Sequence, residues 1–123
     1  MLEEDEQIAL FQWADLMLYK YPELALMYHI PNEGKRSLAT GGRLKAMGLK
    51  KGVPDICLPV PRGKYHGLYV EMKREIGGKL TEEQYQWLKD LDGQGYAVTL
   101  CHGWRKAAVE IETYLKIKER DKE

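Results

Sequence analysis

Hydrophobic positions recur at helical spacing near both ends of the 123-residue chain. Apolar side chains three and four residues apart gather on one face of a helix, so the pattern predicts helices over residues 3–20 and from Trp104 to Ile117. Two shorter helices are predicted, over 36–47 and from a Thr81 cap to about Asp92. The predicted inward residues of the first helix are Leu10, Phe11, Ala14, Met17 and Leu18.

Short apolar runs bounded by Gly and Pro predict four strands, over 24–30, 53–60, 67–73 and 96–101. A turn at Pro61-Arg62-Gly63 separates the second from the third, so these two are expected to pair as a hairpin. The resulting order is helix, strand, short helix, strand, strand, helix, strand, helix. It predicts an α/β fold, with a mixed sheet flanked by helices on both faces, in one domain spanning 1–123.

Composition is that of an ordinary globular protein, with 44% apolar and 31% charged residues. The first seven residues are acidic rather than basic and then apolar, and no apolar run approaches the roughly 20 residues that span a bilayer. We therefore expect a cytoplasmic protein with no membrane partner. Cys57 and Cys101 lie in apolar stretches and are expected to be buried free thiols.

Charge is distributed unevenly although the formal net charge is zero. Between Gly34 and Pro54 there is no acidic residue. This basic strip is either a solvated surface or a surface that contacts phosphate, and the second interpretation is favoured. Its six members are Lys35, Arg36, Arg43, Lys45, Lys50 and Lys51.

The third predicted strand carries an acid and a base. Side chains alternate along a strand, so Glu71 and Lys73 share one face with Tyr69. Asp55 opens the neighbouring strand, and the hairpin would bring it beside Glu71. Two converging carboxylates suit Mg²⁺, and an adjacent lysine can orient water or stabilise charge on phosphate. The alternative is an edge-strand ion pair, with Asp55 in a turn.

These residues resemble the PD-(D/E)xK nuclease superfamily, which has a restriction-endonuclease-like core. Other segments narrow the resemblance to the VRR-NUC family of virus-type replication–repair nucleases, in a stand-alone phage or bacterial form. The resemblance implies Mg²⁺- or Mn²⁺-dependent cleavage of DNA, often branched, and homodimers that resolve four-way junctions. The matching segments are His29-Ile30-Pro31-Asn32-Glu33-Gly34, Gly48-Leu49, Gly52-Val53-Pro54-Asp55, His66 to Lys73, Leu80-Thr81-x-x-Gln84 and Gly95-Tyr96.

The family pattern also has a glutamate at the start of the first helix, followed by a glutamine one turn later. At about 100° per residue, Glu3 and Gln7 fall within roughly 20° of the apolar face, whereas Glu4 and Glu6 lie about 80° from it. Glu3 is therefore the predicted active-site acid. Glu4, Asp5 and Glu6 are expected to be frayed residues that favour the helix dipole. The resemblance adds the backbone carbonyl of Met72 to the metal ligands.

Gln84 has two interpretations. Thr81-x-x-Gln84 is a capping box, which gives the glutamine a structural role, but the family resemblance places it near Lys73, and the active-site role is favoured. Asn32 is expected to support the site or contact DNA. His66 is expected to be a turn residue, and Cys101-His102 lacks the partner pair that a zinc site needs.

Three functional hypotheses remain open. The leading one is a junction-selective homodimer. The others are a flap- or end-directed nuclease and, less favoured, a DNA-binding module without catalysis. Interface candidates are Trp13, Tyr19 and Tyr21, for each of which a core role is equally compatible.

Overall fold

The computed structural model describes residues 1–31 and 38–119. The helices and strands follow one another in the predicted order. The helices are α1 (Glu3–Leu16), a 3₁₀ helix (Pro22–Leu26), α2 (Leu38–Ala46), α3 (Glu82–Gly93) and α4 (Trp104–Leu115). The strands are β1 (Tyr28–His29), β2 (Ile56–Leu58), β3 (Leu68–Lys73) and β4 (Ala97–His102).

The four strands form one mixed sheet in the order β1-β2-β3-β4. β2 pairs antiparallel with β1 and with β3, which confirms the predicted hairpin. β3 and β4 run parallel, and α3 makes the crossover between them. The α/β fold and the mixed sheet are therefore as predicted.

The two faces of β3 have different environments. Val70 and Met72 are fully buried in the main apolar core, on the face covered by α1 and α4, which contact β3 and each other. Glu71 and Lys73 alternate with them and so face the other way, where Gln84 of α3 reaches both side chains. Helices therefore flank both faces of the sheet, and the charged residues of β3 lie on the α3 side.

Strand prediction was wrong in two places, both at proline. Over 24–30, Pro22 begins a 3₁₀ helix that ends at Leu26, and only Tyr28–His29 pair as a strand. Proline favours the first turn of a helix because its φ is already helical and its missing N–H is not needed there. Over 53–60, only Ile56–Leu58 form β2, between Pro54 and Pro59, neither of which has an N–H to donate to the ladder.

Other features agree with the sequence predictions, except that two helices are shorter than predicted. α1 ends at Leu16 rather than residue 20, and α4 ends at Leu115 rather than Ile117. Cys57 and Cys101 are buried free thiols, as expected. Across residues 1–31 and 38–119, no helix is both long enough and apolar enough to cross a membrane.

Candidate active site

Asp55 immediately precedes β2 and is tied to the backbone on both sides. The pairing of Ile56 with Val70 places Asp55 in the next row of the sheet, across from Glu71. Its Oδ2 accepts the Met72 N–H at 2.8 Å, and its carbonyl oxygen accepts the Ile30 N–H at 2.7 Å. The carboxylate is thus buried and held in place by two neighbouring strands.

Glu3 in the first turn of α1 joins Asp55 and Glu71. Each carboxylate offers one oxygen, and the three oxygens lie within 4.8 Å of one another. In the part of the chain that the structure describes, no other group of three acidic, histidine or cysteine residues is gathered in this way. The hairpin brings Asp55 and Glu71 together, and the packing of α1 against β3 adds Glu3.

Glu71 is the most deeply buried of the three acids, with 1% of its surface exposed. Among the described residues, its Oε1 has no hydrogen-bond partner. Burial away from solvent raises the pKa of Glu71 to about 9, and the neighbouring Asp55 contributes to the rise, while Lys73 opposes it. A buried carboxylate oxygen without a partner, beside two further acids, fits a divalent cation, which would supply the missing interaction.

Lys73 is positioned by Gln84. The Lys73 Nζ donates to Gln84 Oε1 at 3.0 Å and lies 3.7 Å from Glu71 Oε2. Gln84 Oε1 also accepts the Thr81 N–H at 3.0 Å, while Thr81 Oγ1 accepts the Gln84 N–H at 3.1 Å. Both interpretations of Gln84 therefore describe real contacts: the side chain closes the capping box of α3 and holds the buried lysine.

A cavity of about 340 Å³ opens beside the three acids. It is lined by Asp55 and His29 and by four residues of α1, which are Glu3, Glu4, Gln7 and Ile8, so Glu4 reaches the same cavity as the predicted Glu3 and Gln7. The His29 Nδ1 lies 2.9 Å from the Asp55 carbonyl oxygen. Because a carbonyl oxygen can only accept, Nδ1 carries the proton and the ring is fixed to the backbone of a candidate ligand residue.

Sequence reasoning assigned no role to His29. The motif from His29 to Asn32 was recognised only as part of a family resemblance. The local pattern does not show that β1 pairs with β2 at this point, which is what places the imidazole beside Asp55.

The sequence profile of the VRR-NUC domain matches residues 3–105, which include all five residues predicted to be catalytic. The chain belongs to the VRR-NUC family. A solved structure described as a VRR_NUC domain protein is similar over 98% of this chain and 93% of its own, with a TM-score of 0.86 and 26% sequence identity. Among curated proteins, no sequence matches significantly. Family membership makes this chain a nuclease of the PD-(D/E)xK type.

The basic strip of the VRR-NUC chain is only partly described. Arg43 and Lys45 are exposed in the last turn of α2, and Lys50 is exposed shortly after it. Lys51 is also exposed but pairs with Glu83 at 3.6 Å, so part of its charge is already neutralised. The predicted contacts Asn32, Lys35 and Arg36 lie outside the described residues.

The sequence also predicted a metal-ligand carbonyl at Met72 and a turn residue at His66. Met72 donates its N–H to Asp55, while the role of its carbonyl as a metal ligand stays a prediction. His66 is exposed in a bend and its ring packs edge-on against Tyr96, with centroids 5.6 Å apart.

Glu6 is not the frayed surface residue that the helical phase predicted. Its exposed fraction is 3%, and its Oε2 has no hydrogen-bond partner among the described residues. A Cβ placed on Gly103, which caps the N-terminus of α4, would lie 3.1 Å from that oxygen. The buried residues of α1 are Glu6, Leu10 and Ala14, which follow one another at intervals of four and lie on one face. The predicted phase was displaced because it also counted Phe11, Met17 and Leu18, which are half-buried or exposed. The Glu6 carboxylate, beside Gly103, therefore faces the positive end of the α4 dipole rather than solvent.

This arrangement predicts different effects for two isosteric substitutions in α1. Glu3→Gln should raise the Mn²⁺ concentration needed for half-maximal cleavage by at least about tenfold, because it removes a charge from the acid cluster. Glu6→Gln should change that concentration by less than about threefold and lower the melting temperature instead, because it removes the charge that faces α4. Metal titrations of cleavage, paired with thermal melts, separate the two effects. An equal metal requirement in both variants would contradict this assignment.

Proposed function

We propose that this VRR-NUC protein is a divalent-metal-dependent DNA endonuclease that cuts branched DNA, with four-way junctions as its principal substrate. The observation that carries the proposal is the convergence of Glu3, Asp55 and Glu71 within 4.8 Å. Glu71 Oε1 has no hydrogen-bond partner among the described residues, which supports a cation in that place. A purely structural acid cluster would be costly to bury without compensation.

Each side chain has a distinct task in this proposal. Glu3, Asp55 and Glu71 would hold Mg²⁺ or Mn²⁺, with the Met72 carbonyl as a further ligand. When bound, the cation activates water and neutralises charge on the scissile phosphate. Lys73 would present its ammonium group to a phosphate oxygen, and Gln84, which accepts from Lys73 and lies within reach of Glu71, would position that ammonium group.

Assembly is part of the proposal because a four-way junction requires paired incisions on two strands related by a two-fold axis. A C2 homodimer supplies two sites with that symmetry. Of the three aromatic interface candidates, Tyr21 is buried with its hydroxyl donating to Glu112 at 3.0 Å, and Trp13 packs against the core. Tyr19 is 84% exposed and stays a candidate.

The experiment is a cleavage panel of duplex, nicked, flap and four-way-junction DNA, with Mg²⁺ or Mn²⁺, alongside light scattering at micromolar concentration. We expect a dimer that cuts the junction at symmetric positions. A monomer that cuts flaps and leaves junctions intact would replace this proposal with a flap-directed nuclease. Binding without cleavage of any substrate, and without a rise in melting temperature on adding metal, would indicate a DNA-binding module.

Salt dependence tests the exposed basic residues. Removing one cation that binds a phosphate should flatten the slope of log K against log salt by roughly 0.9 on duplex DNA, so Arg43→Gln with Lys50→Gln should flatten it by about 1.8. Lys64→Gln with Lys118→Gln removes the same charge from exposed positions outside the strip and serves as the control. Equal slopes for the two double variants would show that the strip is an ordinary solvated surface.

A further inference from the structure

The sheet face that carries Glu71 and Lys73 also carries a row of aromatic side chains. In the strand register, Tyr28 of β1 lies opposite Cys57 of β2, which lies opposite Tyr69 of β3. Directly paired residues point to the same face of a sheet, and Tyr69 shares its face with Glu71, two residues along β3. The two tyrosines are therefore on the same side of the sheet as two of the principal candidate catalytic residues.

The two tyrosines of this row reach solvent, although Cys57 between them is buried and the opposite face of β2 and β3 is sealed. Tyr28 is 50% exposed and Tyr69 is partly exposed, whereas Ile56 and Val70 in the adjoining row are 0% exposed beneath α1 and α4. A tyrosine that stabilised only the fold would gain most by burying its ring. Tyr28 therefore presents part of its ring to any molecule that binds beside the candidate site.

Both tyrosines flank Cys57 in the strand register, and one of the two rings also packs against a further aromatic side chain. The Tyr69 ring meets Tyr96 edge-to-face, with centroids 5.3 Å apart and planes at 73°. Fixed aromatic rings lose little conformational freedom when a flat group stacks on them.

The basic residues of the segment before β2 indicate which class of molecule would bind at the two tyrosines. In the segment leading into β2, Arg43, Lys45 and Lys50 are exposed, while Lys51 is paired with Glu83, so this segment still carries positive charge that attracts a polyanion. Adjacent strands are about 4.8 Å apart and residues rise about 3.3 Å along a strand, which puts Tyr28 roughly 10 Å from Tyr69 and Tyr69 roughly 7 Å from Glu71. A nucleic-acid strand with its backbone at the acids reaches both rings within a few nucleotides.

We propose that Tyr28 and Tyr69 form a stacking platform for bases that have lost a stacking neighbour close to the scissile phosphate, so that the enzyme selects DNA whose base stacking is interrupted beside the cut. The proposal rests on the nuclease function proposed above and specifies its substrate. Bases in continuous duplex are stacked on their neighbours and present no free face to these rings. Branch points and flaps do present one, and a stacked base would hold the backbone in register with the metal site.

The test measures binding in Ca²⁺, so that it does not depend on turnover. The probes are a duplex and a flap of the same sequence, with 2-aminopurine at successive positions next to the branch. Tyr28→Ala should weaken flap binding by about 5- to 100-fold and abolish the quenching of one 2-aminopurine position, and it should leave duplex binding unchanged. Tyr28→Phe should behave like the parent, since stacking needs the ring and not the hydroxyl.

Tyr85→Ala, at a tyrosine on α3 with 59% exposure, is the matched control and should bind both probes like the parent. Equal losses on flap and duplex, or unchanged quenching in Tyr28→Ala, would overturn the stacking platform. That result is distinguishable from failure of the nuclease proposal, which would appear as absence of cleavage by the parent protein in Mg²⁺ or Mn²⁺.

Discussion

Asp55→Asn and Glu71→Gln should each reduce cleavage of branched DNA by at least about 10³-fold while the fold stays intact. Each substitution preserves the shape of the side chain and removes one negative charge from the acid cluster. The cation should then bind more weakly, and negative charge on the scissile phosphate should be less well neutralised. Lys73→Ala should also slow cleavage severely but should retain metal binding, because the lysine is not a ligand. Single-turnover rates, with circular dichroism as the check on folding, give the comparison.

Asp92→Asn is the matched control for charge removal, since Asp92 is exposed in α3. It should cleave at the parental rate. Parental activity in Asp55→Asn would show that the site assignment is wrong, whatever the behaviour of the other variants. If Lys73→Ala fails to bind metal, Lys73 contributes to the metal site, and its assignment as a residue that contacts only the phosphate is wrong.

Metal binding should release about one proton near neutral pH, and its affinity should rise with pH. The pKa of Glu71 is raised from 4.5 to about 9, so the metal-free folded protein carries a proton on this carboxyl that the cation must displace. Between those values the folded state binds more protons than the unfolded state. The stability of the metal-free protein should therefore fall as pH rises from about 5 towards 9.

Calorimetric titration with Mn²⁺ in two buffers of different ionisation enthalpy measures the proton release, and thermal melts from pH 6 to 8.5 measure the stability. Glu71→Gln should flatten the pH dependence of the metal-free protein and stabilise it at pH 8 by on the order of 1–3 kcal/mol, since the amide is neutral in both states and folding no longer requires the uptake of a proton at this position. Glu82→Gln, at an exposed acid of α3, should leave the pH dependence unchanged. Metal affinity that is independent of pH across this range would contradict the buried, protonated state of Glu71.

The sequence predicted the part of the site that depends on local patterns. Alternation along 68–73 and a turn at 61–63 predict a hairpin that brings Asp55 near Glu71. The long connection between Leu58 and Leu68 does not fix the register, which is set by burial of the apolar side chains on one face of both strands. Thr81-x-x-Gln84 likewise predicted the cap of α3, and the helix then carries Gln84 to Lys73.

The remaining features depend on packing between distant segments, which a local pattern does not record. Glu6 is buried because α4 begins above it, nearly 100 residues later in the chain. Tyr28 and His29 fall on opposite faces of a two-residue strand whose partner, β2, follows much later. The apolar run that contains them resembles a longer strand, and only the 3₁₀ helix at Pro22 shortens it.

The central claim is that Glu3, Asp55 and Glu71 hold a divalent cation. Its most direct test is a crystal structure grown with Mn²⁺ and measured at the manganese absorption edge. We expect an anomalous peak bonded to oxygens of all three carboxylates in the parent protein and no peak there in Glu71→Gln. An anomalous peak elsewhere, with the three acids hydrogen-bonded to one another and no metal between them, would contradict the account.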